Sequence, residues 1–140
     1  PMRYVGWGVT SDGGYDADTK RFADIPYYFY DEQFHYGIDF SGTVNLCTGD
    51  SGGSLFRYGR TEEELFLVGV NSFVFSMTED GPPCEGGGAG SVRLDVHDEW
   101  LYTLVPELDV REELPIDEDE GDEEEEEETK LPTPPFKPLV

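Results

Sequence analysis

The chain has 140 residues and carries 32 Asp and Glu against 9 Lys and Arg, a formal net charge of -23. That length fits one domain built on one core. The charge excludes a protein that holds nucleic acid by neutralising phosphates or adheres to an anionic membrane surface, since both need a basic face.

No run approaches the roughly 18 consecutive apolar residues of a membrane span, and no basic start with a following apolar run marks a signal peptide. Pro1 stands where an initiator Met is expected, so the chain reads as a processed product or as the downstream piece of a longer frame.

Short apolar runs broken by Gly and Pro predict a small all-β domain over residues 1–115. In chain order the expected strands are Arg3 to Val9, Phe22 to Tyr30, Ile38 to Leu46, Ser54 to Tyr58, Leu65 to Phe75 and Ser91 to Leu94. The segments SDGGYDAD, DEQF, TGDSGG, GRTEEE and TEDGPPCEGGGAG read as turns between them. Strands at this spacing favour a barrel or sandwich. The aromatic content of 14% supplies core candidates in Phe22, Tyr28, Phe40, Phe66 and Phe73. One helix is expected from Val96, where Trp100, Leu101, Leu104 and Val105 recur at helical spacing; Asp95 and Asp98 form its start and Pro106 its end. Residues 116–140, with 11 acids against 2 bases and a proline-rich end, read as a disordered tail. The tail's default role is a soluble spacer, and a basic partner is the alternative.

Among groups that carry chemistry, Asp12, Asp16 and Asp18 cluster after the first strand but lack the spacing and closing Glu of an EF-hand loop. Cys47 and Cys84 with His35 and His97 form no zinc pattern, and the two cysteines allow one disulfide or two free thiols. No metal or cofactor is expected. The specific signal is GDSGG at Gly49 to Gly53, which this composition produces by chance on the order of one time in a thousand. In such a turn the glycines let the backbone set two N–H groups beside an exposed serine hydroxyl, where they can bind a developing oxyanion. The serine still needs a base within hydrogen-bond reach and a group to orient that base.

GWG at Gly6 to Gly8, ADIPYYF at Ala23 to Phe29, LCTGDSGGSLF at Leu46 to Phe56, LVGVNS at Leu67 to Ser72 and the helix around Trp100 together resemble the second half of a trypsin/chymotrypsin-family serine protease. The likeness covers nearly all of residues 3–105. It implies the C-terminal antiparallel β-barrel of the two-barrel fold, closed by a short helix, with the first barrel absent. It further implies Ser51 as nucleophile, and the amides of Gly49 and Ser51 as the oxyanion hole. Asp50 takes the position that in the family pairs with a new N-terminal amine.

By the same resemblance Cys47 and Cys84 form a disulfide, and the compartment is oxidising and extracytoplasmic. Asn45 falls at the base of the primary pocket, where a neutral amide would not compensate a buried cation, so cleavage after Arg or Lys is not expected. Ser72, Phe73 and Val74 match the strand that pairs with substrate, and Gly90 matches a wall of the pocket. Val74 replaces a frequent Gly and points to small or medium apolar side chains. Ser54 replaces the usual Pro after GDSGG.

In the family the His and then the Asp precede the Ser in the chain. His35 lies sixteen residues before Ser51, inside the second barrel, and His97 follows it, so neither fits the base. The partners implied are a peptide substrate and a first barrel carrying His and Asp, and the chain alone is expected to be inactive and poorly folded. A protease-like binding module without catalysis is the alternative reading.

Overall fold

Alternation of inward and outward side chains builds seven antiparallel strands in the computed structural model, which describes residues 1–108. They are β1 (Met2–Gly6), β2 (Arg21–Ile25), β3 (Tyr27–Tyr30), β4 (Phe34–Ile38), β5 (Ser54–Tyr58), β6 (Leu65–Phe75) and β7 (Gly88–Arg93). The sheet order is β2-β1-β5-β6-β7-β4-β3, so its two margins are neighbours in sequence, separated only by Pro26. Proline donates no ladder hydrogen bond, and the strand expected over Phe22 to Tyr30 divides there. Its first half pairs with β1 and its second with β4, while the Pro26 carbonyl accepts the Ile38 amide at 3.1 Å. The sheet thereby curls into a half-barrel of the expected all-β class.

The inner side of the curl holds Met2, Tyr4, Ile25, Leu46, Leu55 and Ala89. A second cluster is aromatic: Tyr36, Ile38 and Phe75 pack with Phe29, Phe34 and Phe73. Phe29 stacks on Tyr36 at 4.3 Å and Phe34 meets Phe73 edge-on at 5.1 Å, both favourable ring geometries. Phe73 therefore reaches a core, as expected. Phe22, 62% exposed, Phe40, 73% exposed, and the exposed Tyr28 do not. Phe22 instead covers the Arg3 guanidinium at 4.2 Å, in a cluster where Arg3 grips Asp24 and Asp24 also accepts the Tyr58 hydroxyl.

Two expected elements are corrected. The segment Ile38 to Leu46, read as a strand, is a loop after Ile38. The Asp39 carboxylate accepts the amides of Ser41, Thr43 and Val44 and both neighbouring hydroxyls, a local network that outcompetes a ladder. These bonds hold Asp39 well below the usual carboxylate range. The strand lies earlier, at β4, and Asp31 makes the turn by accepting the Gln33 and Phe34 amides.

The helix is α1 (Asp98–Leu104), preceded by a 3₁₀ turn at Asp95–His97, and no side chain caps it. Asp95 is drawn instead to Arg93. Val105, before Pro106, leaves the helical region at φ −133° as a pre-proline residue does. No residue of α1 is buried, so Trp100 and Leu104 face solvent rather than closing the barrel. The tail over 116–140, and the end of the expected domain at 115, lie outside the described residues.

Candidate active site

The GDSGG turn sits between Cys47 and β5 and is tied on three sides. Gly49 adopts φ +94°, and a β-carbon there would approach Gly8 Cα at 3.1 Å, so this position favours glycine twice over. The Asp50 carboxylate points back under the turn and accepts the Gly8 amide at 2.7 Å and the Cys47 amide at 2.9 Å. The amine of Pro1 plays no part in these bonds. On the far side Gly52 donates to the Asn71 carbonyl at 2.9 Å, and Asn71 donates to the Gly53 carbonyl at 2.8 Å.

This scaffold leaves Ser51 exposed, with its hydroxyl donating to the Ser72 carbonyl at 3.2 Å. A hydroxyl hydrogen-bonded to a carbonyl remains a poor nucleophile, because a carbonyl does not take the proton. His35 stands on β4, in register with Tyr30 and Ser91, and its buried Nδ1 has no hydrogen-bond partner. Burial lowers its pKa. His97 is exposed at the start of α1.

Ser72, Phe73 and Val74 lie in the C-terminal part of β6, with Ser72 at a register slip between Asn71 and Phe73. β5 ends its pairing with β6 at Val70, and the stretch Phe73–Phe75 is paired by β7 alone. Phe73 is in register with Gly90, and its ring lies against that glycine. Val74, in register with Ala89, packs half-buried against the inner cluster. Asn45 is half-buried; its amide donates to the Pro83 carbonyl at 2.7 Å and its Oδ1 is enclosed without a partner.

Cys47 and Cys84 form a disulfide, and the Cys84 amide donates to Asp12 at 3.0 Å. Asp16 turns instead to Thr10 and Arg21, and the described residues contain no group of acids, His and Cys arranged to hold a metal ion. Asn71 and Asp39 are structural residues that the sequence reading passed over. The available signal was an amide at an inward position of an apolar strand, where a polar group needs partners.

The protein-family model described as Trypsin matches residues 2–85, more than half of the chain. No curated protein matches it.

Proposed function

The chain belongs to the trypsin family, and from that premise we propose that it is the C-terminal half of a serine endopeptidase with Ser51 as nucleophile. The observation that carries the reading is the exposed Ser51 hydroxyl beside the end of β6 that pairs with β7 alone, on a turn braced by Asp50 and Asn71. An extended peptide would lie along Ser72 to Val74. Its backbone N–H would take the Ser72 carbonyl now occupied by Ser51, releasing the hydroxyl.

A His from a first barrel upstream would then remove the Ser51 proton as Oγ bonds to the substrate carbonyl carbon. The Gly49 and Ser51 amides would hold the oxyanion. Collapse of that intermediate breaks the C–N bond, the amine leaves with the proton, and water attacking the acyl-enzyme releases the acid and frees Ser51. The base and its orienting Asp come from that upstream half, so this chain alone is inactive. The neutral Asn45, already committed to Pro83, supports a pocket that does not accept Arg or Lys. The disulfide supports a secreted or extracytoplasmic protein.

One observation favours a second reading, a binding module that has lost catalysis: the Ser51 hydroxyl is held by a carbonyl rather than a histidine. A fluorophosphonate probe separates the two. The complete protein should be labelled at Ser51, and neither the isolated chain nor the Ser51→Ala variant should be. A complete protein that stays unlabelled overturns the peptidase reading and leaves the binding module.

A further inference from the structure

We propose that Asn71 is the positioning residue of the nucleophile turn, its amide oriented by the Val5 carbonyl and held from the other side by Ser91. The inference rests on Ser51 being the nucleophile. Asn71 is only 2% exposed, within the otherwise apolar middle of β6, and Ser91 beside it on β7 is fully buried.

A buried amide is costly unless its groups are partnered, and this one is partnered on both sides. The Ser91 hydroxyl donates to Asn71 Oδ1 at 3.2 Å, and Asn71 Nδ2 donates to the Val5 carbonyl on β1 at 3.0 Å. The second bond selects which side of the amide meets β1, because the Val5 carbonyl can only accept and so takes the nitrogen, and the Ser91 hydroxyl then donates to the oxygen on the other side.

These bonds converge on the turn from two directions. The main chain of Asn71 clasps Gly52 and Gly53, the two residues after the serine. Gly53 lies so close that a β-carbon would sit 2.1 Å from the Val5 oxygen and 2.9 Å from Asn71 Nδ2. The side-chain bond to Val5 thus holds β1 against the end of the turn. Three residues further along the chain from Val5, the Gly8 amide grips Asp50 beneath the serine.

The other direction is along β6 itself. The strand slips register immediately after Asn71, and that slip sets the Ser72 carbonyl at the Ser51 hydroxyl. Anchoring Asn71 on β1 and β7 fixes where the slip falls. Without the anchor the carbonyl that orients Ser51, and that a peptide must reach, has no fixed place.

The test uses the complete protein and reads the rate of Ser51 labelling by a fluorophosphonate, the thermal midpoint, and hydrogen exchange of the Gly52 amide. Asn71→Val alone leaves the Val5 carbonyl and Ser91 hydroxyl unpaired and lowers stability as well as reactivity. Asn71→Val combined with Ser91→Val removes the buried hydroxyl too and restores part of the stability, the Val5 carbonyl still lacking the Asn71 donor. We expect the double variant to melt above the single variant, though below the parent, yet to label roughly 10- to 100-fold more slowly than the parent, with faster exchange at Gly52.

Parental labelling and parental Gly52 exchange in a folded double variant overturn the proposal. If the parent itself is never labelled, the peptidase reading fails separately, and Gly52 exchange alone decides the positioning role. Ser91→Ala keeps the Asn71 amide and serves where the valine variants do not fold. It is expected to slow labelling and speed Gly52 exchange to a smaller degree, and an unchanged value of both counts against the proposal.

Discussion

At the residue scale, burial governs the charge state of His35. Its ring stands between the edges of Tyr27 and Tyr30, each 6.3 Å away, next to Ser91 on β7 and near Arg93 and Asp95. Burial pushes its pKa below the usual 6.5, an effect that Asp95 opposes and Arg93 reinforces. The folded ring therefore resists a proton that the unfolded chain accepts. Its contribution is level at and above pH 7 and becomes destabilising as pH drops below about 6.5. Asp24, Asp31, Asp39 and Asp95 are also held below their usual range, and their contributions vanish only as pH falls through about 4 and lower. The two windows are separable. Replacing His35 by Gln should flatten the urea midpoint between pH 7 and 5 while leaving the loss below pH 4 in place; an unchanged slope between pH 7 and 5 would contradict this assignment. Ser51 was legible from the sequence because its turn is local and glycine-rich. Asn71 was not, because its partners Val5 and Ser91 lie 66 and 20 residues away.

At the scale of elements, the loop from Cys47 to Cys84 contains the nucleophile turn and the whole of β5 and β6, closed across 37 residues. Removing the bridge frees that length of unfolded chain, and the Asp12 contact with the Cys84 amide cannot replace it. The paired change Cys47→Ser with Cys84→Ser should cost about 2–5 kcal/mol, read as a lower urea midpoint. A midpoint equal to the parent's would show that the half-barrel holds the loop unaided. β5 and β6 occupy the spans their apolar runs predicted, since β-branched and aromatic residues there are also paired on the sheet. The span Ile38 to Leu46 misled for a physical reason: Ile38, Phe40, Val44 and Leu46 fall on alternate positions, yet one carboxylate at Asp39 folds the intervening backbone on itself.

For the whole molecule, a net charge of -23 sets acids against one another across the surface. Among the described residues the ion pairs are Arg3 with Asp24, Arg21 with Asp16 and Arg93 with Asp95. All three are partly open to solvent, where such pairs contribute little. Added salt therefore relieves more repulsion than it screens attraction, shortening the range of the field from about 30 Å at 0.01 M to about 8 Å at 0.15 M. The thermal midpoint should rise by a few degrees over that interval; a fall would mean the three pairs outweigh the general repulsion. Family and strand architecture were legible at this scale because separated motifs agreed. No base for Ser51 was legible, because neither histidine takes the place in chain order that the family gives one. The division at Pro26 bears finally on fibre formation. Each margin of the sheet is a strand of only five or four residues, and the two meet at a proline, so neither gives another molecule a long template to copy. The more open template is Phe73–Phe75, which overlaps the stretch Ser72 to Val74 proposed for the peptide. A bound peptide and a growing fibril would compete for the same backbone, and a peptide on that strand end would itself guard the chain against self-assembly.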